Sequence, residues 1–175
     1  MKKAKMTALC GMLTALSVVM MAVTTIVPVA MYIMPILTGV VVILVLRSMN
    51  MKYALGVYLA TSALCILLIT DKEAALTYAL FFGYYPLLKS KPEKLPGALS
   101  WALKLLLFNC AAVLVGVISV YIFGVSGEEY SDLGRFTIPI LLGLANIVFL
   151  MYDVSLTKND VLIEHIAVKI KRKLK

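Results

Sequence analysis

The chain has 175 residues, of which 62% are hydrophobic and 15% are charged, and its mean hydropathy is +0.99. Soluble domains are roughly half apolar and a quarter charged, so this composition excludes an ordinary soluble domain and indicates an integral membrane protein. The formal net charge is +8. The basic residues lie between apolar runs, where they orient helices in a bilayer rather than bind nucleic acid.

Six apolar segments are candidate membrane-spanning helices, since a crossing takes about 20 residues. In chain order they cover roughly 6–27, 32–46, 53–70, 74–88, 96–123 and 136–156. We therefore predict an all-α membrane protein. Its six transmembrane helices form one domain over residues 1–157, and a basic amphipathic C-terminal helix forms a cytoplasmic tail over residues 158–175.

The first segment follows Lys2, Lys3 and Lys5 and is a long apolar run. A cleavable signal peptide has an apolar core of about 7–15 residues, followed by a small-residue cleavage site. This run is longer, and Leu9 before Cys10 does not fit lipoprotein processing. We expect the segment to be retained as the first helix.

The basic residues alternate along the chain with the apolar segments. Fourteen of the seventeen lie at the N-terminus, in the second and fourth connections and in the tail, whereas two lie in the other connections. The remaining one, Lys104, lies early in the fifth segment. Because positively charged loops stay on the cytoplasmic side, this pattern predicts six crossings with both termini in the cytoplasm.

The tail has the pattern of an amphipathic helix. Leu162, Ile166, Ile170 and Leu174 recur every four residues, and basic residues cover the other sides. Such a helix suits the anionic cytoplasmic leaflet of a membrane. The alternative is a solvated tail whose charges only orient the last crossing.

Residue types that support catalysis or metal binding are scarce. His165 is the only histidine and lies in the tail, so neither a Ser–His pair in the membrane nor a histidine metal site is expected. The three cysteines lack CxxC spacing, and no glycine-rich loop leads into a GK[ST] motif. We predict no catalytic residue, metal or cofactor on this chain, and expect any ATP hydrolysis on partner subunits.

Polar residues within the segments are candidates for helix contacts or ligand binding, since they are costly in lipid. Asn109 and Asn146 lie midway along the fifth and sixth segments, where they are predicted to bond each other or a ligand. Lys104 and Asp153 lie toward the cytoplasmic ends of the same segments and are predicted to form an ion pair.

Aromatic and charged residues concentrate at the predicted outer ends of the segments. Together with Asn109 and Asn146, these residues form a candidate substrate site: Tyr32, Lys72, Glu73, Tyr78, Tyr121 and Arg135. Aromatic walls with a few charges are what a small-molecule pocket needs. The alternative is an interfacial aromatic belt with solvated loop charges, which is also the expected role of Tyr84 and Tyr85 at the inner end.

Four small residues lie in the cytoplasmic half of the first helix, with Ala4 just before the apolar segment: Ala4, Ala8, Gly11 and Ala15. Small residues about four apart let helix backbones approach closely.

With its opening "KMTALCGMLTALSVVM" and six predicted helices with both ends inside, the chain resembles the S components of energy-coupling-factor (ECF) vitamin transporters. The predicted topology resembles the family over the whole chain, whereas the sequence motif resembles it only in the first segment.

The resemblance implies a solute-binding subunit in the bacterial cytoplasmic membrane. It implies an outward-facing pocket for a vitamin-like small molecule and docking of the four small residues on a transmembrane T subunit that works with two ATPase subunits. The expected partners are therefore membrane lipids, these subunits and the substrate, without nucleic acid.

The alternative is a non-transporting six-helix membrane scaffold, such as an MreD-like rod-shape protein. The two readings differ in the outer half of the helix bundle. A solute-binding subunit needs a cavity near Tyr78, Asn109 and Asn146, whereas a scaffold fills this region with its own side chains.

Overall fold

A computed structural model describes residues 2–27, 29–89, 96–123 and 137–174, and within these ranges the chain is helical and has no strand. The helices are α1 (Lys2–Ala22), α2 (Ala30–Ser48), α3 (Met51–Leu68), α4 (Lys72–Thr77), α5 (Tyr85–Leu88), α6 (Gly97–Tyr121), α7 (Thr137–Lys158) and α8 (Asp160–Leu174). A short 3₁₀ turn, Val23–Thr25, follows α1, and a π-helical stretch, Tyr78–Phe82, connects α4 to α5.

Five of the described helices are long and apolar enough to cross a membrane: α1, α2, α3, α6 and α7. Their length and composition indicate a membrane protein, as the sequence predicts. The all-helical fold class is confirmed for the described residues. The fourth predicted segment, 74–88, is helical but interrupted, so it is not a single helix of membrane length.

The interrupted segment begins at a side-chain cap, and its last helix, α5, has a proline in its first turn. The Asp71 carboxylate accepts a hydrogen bond of 3.0 Å from the backbone N–H of Ala74, which satisfies one of the otherwise unbonded donors at the start of α4. Pro86 lies in the first turn of α5, where its missing N–H is not needed. The segment is largely buried, so it forms the centre of the bundle.

Six aromatic side chains fill this centre, and we call them the aromatic core: Phe81, Phe82, Tyr85, Phe108, Phe149 and Tyr152. Phe108 of α6 stacks on Phe149 of α7 with ring centroids 4.8 Å apart. Phe81 contacts both rings edge-on, at 5.0 and 5.3 Å. Such offset and edge-on pairs add to the stabilisation that burial itself provides, so the aromatic core holds α6 and α7 against the π-helical stretch.

Gly39 lets α2 lie directly against the π-helical stretch. A Cβ atom at this position would lie 2.5 Å from the carbonyl oxygen of Phe82 and 2.7 Å from the hydroxyl of Tyr152. Both distances are shorter than a carbon–oxygen van der Waals contact, so a larger residue would force the two backbones apart.

α8 folds back on the bundle after a break at Asn159. It packs mainly against α2, and Ile163 and Ala167 are the residues buried in this contact. Leu162, by contrast, is 60% exposed. The docked face of α8 is therefore not the predicted stripe that begins at Leu162.

Candidate functional site

The predicted outer residues are placed in different environments. Tyr121 is 83% exposed, Tyr32 is also exposed, and Tyr78 is completely buried. Arg135 lies outside the described residues. Tyr78 is therefore separated from the surface, whereas Tyr32 and Tyr121 lie on it.

Part of the outer set does gather where α3 ends and α4 begins. Lys72 Nζ donates hydrogen bonds to the carbonyl oxygens of Ile66 (2.9 Å) and Ile69 (2.7 Å), so it caps the C-terminal end of α3. The same Nζ lies 6.0 Å from the ring centre of Phe123, beyond the end of α6. Glu73 lies near enough to Tyr32 for its charge to act on the phenol group. We call Tyr32, Lys72 and Glu73 the outer cluster.

Tyr78 belongs to the interior rather than to this cluster. Its hydroxyl lies beside Thr61, with Tyr58 and Cys65 close by. Within the described part of the chain, the hydroxyls of Tyr78 and Thr61 are buried and make no hydrogen bond of good geometry. Buried hydroxyls are normally bonded, and no described cleft reaches this position.

Asn109 and Asn146 bond each other across α6 and α7. Each Nδ2 donates to the other residue's Oδ1 at 3.0 Å, and each also donates to a carbonyl oxygen one turn earlier, Leu105 (2.8 Å) or Leu142 (2.7 Å). Both N–H donors of each amide are thus used within the protein. This geometry is that of a polar contact between helices, which was one of the two predicted roles.

Asp153 of α7 is the centre of a buried network of ion pairs and hydrogen bonds, and it is 2% exposed. Lys104 Nζ lies 2.8 Å from Asp153 Oδ2, and Lys89 Nζ lies 3.3 Å from Asp153 Oδ1. Tyr85 donates its hydroxyl hydrogen to Oδ1 as well. We call Tyr85, Lys89, Lys104 and Asp153 the Asp153 cluster. It joins α5, α6 and α7 inside a bundle where buried charges require partners.

Further contacts hold the two lysines. Lys89 Nζ donates to the Asp153 carbonyl oxygen (2.9 Å) and to Thr157 Oγ1 (2.8 Å). Lys104 Nζ lies 5.0 Å from the ring centre of Trp101, which provides a cation–π contact. Both ammonium groups are thus bound in place rather than solvated.

The sequence predicted the Lys104–Asp153 pair and missed the other two members. Lys89 follows the apolar segment directly and resembles a loop residue, and Tyr85 was expected in an aromatic belt. That expectation was wrong, since Tyr85 is buried in the aromatic core. The available signal was the spacing of four between Tyr85 and Lys89, which places both on one helical face.

A cleft of about 320 Å³ opens beside the Asp153 cluster. It lies between the end of α2, α5 and the junction of α7 with α8, and it is lined by Ile43, Leu46, Arg47, Pro86, Lys89, Leu156, Thr157 and Asp160. A shallower cleft runs along α8. Neither of these clefts is lined by Tyr78, Asn109 or Asn146, the residues around which the sequence predicted a cavity.

The four small residues of α1 form one exposed stripe. Ala4, Ala8, Gly11 and Ala15 are all exposed, and at 100° per residue they fall within about 60° of one another on the helix. A Cβ at Gly11 would meet no atom within 4 Å. Like α6 and α7, α1 is only sparsely covered by the rest of the described chain. We call these four residues the α1 stripe.

Among the described residues, no group of three or more histidine, cysteine, aspartate or glutamate side chains is close enough to hold a metal ion. Comparisons with protein families, curated proteins and solved structures found no match to this chain.

Proposed function

We propose that this chain is the substrate-binding S component of an ECF-type uptake transporter. In this role it binds a vitamin-like small molecule and docks on a T subunit through the α1 stripe. The observation that carries the proposal is the exposure of all four stripe residues on one side of the membrane-length helix α1. An exposed stripe of small residues suits the close approach of a partner helix, because small residues are where helices approach most closely.

The proposed topology has six crossings of the cell membrane, with both termini in the cytoplasm. Residues 72–88 provide the fourth crossing, as α4, the π-helical stretch and α5 in succession. An interrupted helix is tolerated at membrane depth where it is buried in protein, and this segment is largely buried. The alternation of basic residues supports the same arrangement.

We place the solute near the outer cluster. Tyr32 provides an exposed aromatic face, and Lys72 and Glu73 provide a cation and a carboxylate at the same end of the bundle. Tyr121 and Arg135 belong to the same predicted site. We assign Asn109 and Asn146 to helix packing, because their amide groups are used on each other.

The chain itself is proposed not to be an enzyme and to carry no cofactor. Transport energy would come from ATP hydrolysis on two partner ATPase subunits. This part of the proposal rests on the resemblance of the opening helix and of the predicted topology to S components.

A membrane scaffold of the rod-shape kind is the second candidate function. The observation that favours it is the filled centre of the bundle, where the aromatic core and the Asn109–Asn146 pair occupy the space between α6 and α7. A scaffold needs no cavity there, and its α1 stripe would dock a different membrane protein.

Docking is tested by co-expressing the chain with a T subunit and its two ATPases and measuring co-purification. Gly11→Leu adds a bulky side chain to the α1 stripe and is expected to reduce recovery of the complex at least tenfold. Gly116→Leu on α6 is the matched control, since that glycine is equally open and lies away from the stripe. Equal recovery from the two variants would exclude docking through the stripe.

Solute binding separates the two candidate functions. Small molecules released from the purified protein are identified by mass spectrometry, before and after the substitution Glu73→Gln. An S component is expected to retain one compound whose occupancy falls in the variant. A scaffold releases no specific compound, and that result would favour the second candidate.

A further inference from the structure

α8 is divided into two halves with different charges and contacts. Its two acidic residues, Asp160 and Glu164, lie in the first half, and both face Arg47 at the end of α2. The Arg47 guanidinium is 2.7 Å from Asp160 and 3.9 Å from Glu164. Ile163, on the same half of the helix, is buried in the aromatic core region.

The second half carries only positive charge. Between Glu164 and the end of the chain there is no acidic residue. Lys169, Lys171 and Arg172 are all exposed, and Ala167 is the residue that continues the buried face against α2. The acidic residues are thus used on the bundle, and the basic residues project away from it.

Exposed apolar residues accompany the basic ones. Leu162 and Ile166 remain exposed beside the docked face. At 100° per residue they lie within about 60° of Lys169, whereas Arg172 lies about 80° from Leu162 and Lys171 lies on the opposite side of the helix. Apolar side chains flanked by cations are the pattern of a helix that lies in the headgroup region of a membrane. If this apolar edge faced only water, its exposure would be energetically unfavourable, whereas contact with lipid removes the apolar side chains from water.

The position of α8 places it at a membrane surface. It begins after a single residue, Asn159, beyond the membrane-length helix α7. Its first turns contact Arg47 in the last turn of the membrane-length helix α2. Because both helices end there, α8 lies at the depth where lipid headgroups surround the bundle.

We propose that α8 is a lipid-binding element. Its first half is anchored to α2, and its second half binds anionic phospholipid headgroups of the cytoplasmic leaflet through Lys169, Lys171 and Arg172. Leu162 and Ile166 insert beside these headgroups. Each basic residue near an anionic leaflet raises binding by about fivefold, so three together provide strong selectivity for anionic lipid. This inference does not depend on the transport function and requires only that α8 is on the cytoplasmic side.

The test uses the full chain in lipid nanodiscs, with Cys10, Cys65 and Cys110 changed to alanine. Ile166→Cys carries a fluorophore, and phospholipids with brominated acyl chains quench it when it enters the membrane. Discs of phosphatidylcholine alone are compared with discs containing phosphatidylglycerol. Helix content and thermal unfolding establish that each variant is folded.

Quenching is expected to be at least twofold stronger in the anionic discs and to fall to the phosphatidylcholine level at roughly 0.5 M salt. The triple variant Lys169→Gln, Lys171→Gln and Arg172→Gln is expected to lose the difference. A control with the same change in net charge, Lys3→Gln, Lys5→Gln and Lys52→Gln, is expected to keep it.

Three results would overturn the proposal. Equal quenching in the two kinds of disc would show that α8 does not select anionic lipid. Loss of the difference in the control as well would assign the effect to net charge rather than to α8. Unchanged quenching in the α8 triple variant would show that apolar insertion alone holds the helix in the membrane. Lys169, Lys171 and Arg172 would then bind another partner, such as an acidic protein.

Discussion

Asp153 illustrates how single residues in this bundle combine charge with burial. One carboxylate accepts contacts from two ammonium groups and a phenol hydroxyl, all within the protein. The sequence predicted half of this arrangement, because Lys104 and Asp153 stand alone in apolar runs and therefore need partners. Lys89 was not predicted as a member, since its burial depends on how α7 packs against α5, which one sequence does not reveal.

Replacing Asp153 and replacing Lys104 should lower the free energy of unfolding by different amounts. Asp153→Leu leaves two buried ammonium groups without this carboxylate and is expected to lower the free energy of unfolding by about 3–5 kcal/mol. Lys104→Met is expected to cost clearly less, because Asp153 keeps its contacts with Lys89 and Tyr85. Thermal unfolding in detergent measures both variants. A larger loss for Lys104→Met would contradict the central place of Asp153.

The Asn109–Asn146 pair should behave as a packing contact. In a double-mutant cycle with Asn109→Leu and Asn146→Leu, the coupling between the two residues is expected to be about 0.5–1.5 kcal/mol, the range of polar contacts between membrane helices. Unfolding in detergent measures the stability of the unchanged protein, the two single variants and the double variant. Ligand occupancy, measured on the same samples, is expected to stay unchanged. A large loss of bound ligand with no coupling would instead assign the two amides to the solute site.

Among the structural elements, the long helices were the most predictable. Apolar length identifies them because lipid requires a continuous apolar surface, and α3, α6 and α7 agree with the predicted segments to within two residues at each end. The division of residues 72–88 into three pieces was not predictable. It depends on contacts with α2 and with the aromatic core, which bring Gly39 against Phe82.

The contact between α2 and the π-helical stretch can be tested at Gly39. Gly39→Ala places a methyl group within 2.5 Å of the Phe82 carbonyl oxygen and is expected to lower the free energy of unfolding by about 1–3 kcal/mol. Gly116→Ala is the control, since nothing lies within 4 Å of its added methyl group. That substitution should be neutral or slightly stabilising, because alanine is the better helix former. Equal stability of the two variants would argue against close packing at Gly39.

At the scale of the whole molecule, the number of crossings decides where the two termini lie. Five membrane-length helices alone would put the termini on opposite sides, whereas a sixth crossing by residues 72–88 puts them on the same side. The sequence predicts the second arrangement from its charge distribution. The burial of residues 72–88 is compatible with it, because an interrupted helix is stable at membrane depth only when protein surrounds it.

Single cysteines in a cysteine-free chain distinguish these arrangements. A membrane-impermeant maleimide is expected to label Val27→Cys in intact cells and to label Lys3→Cys and Lys171→Cys only after permeabilisation. All three positions are exposed on the protein, so the labelling pattern reports the side of the membrane. Labelling of Lys3→Cys and Lys171→Cys from opposite sides would reduce the number of crossings to five.

The central claim is that the α1 stripe is the surface on which the partner subunit docks. Its most direct measurement is site-specific cross-linking in the assembled complex, with a photoreactive amino acid at Ala15 or, as a control, at exposed Val113 on α6. We predict a covalent adduct with the T subunit from position 15 and none from position 113. Adducts of equal yield from both positions, or none from position 15 in an intact complex, would contradict the claim.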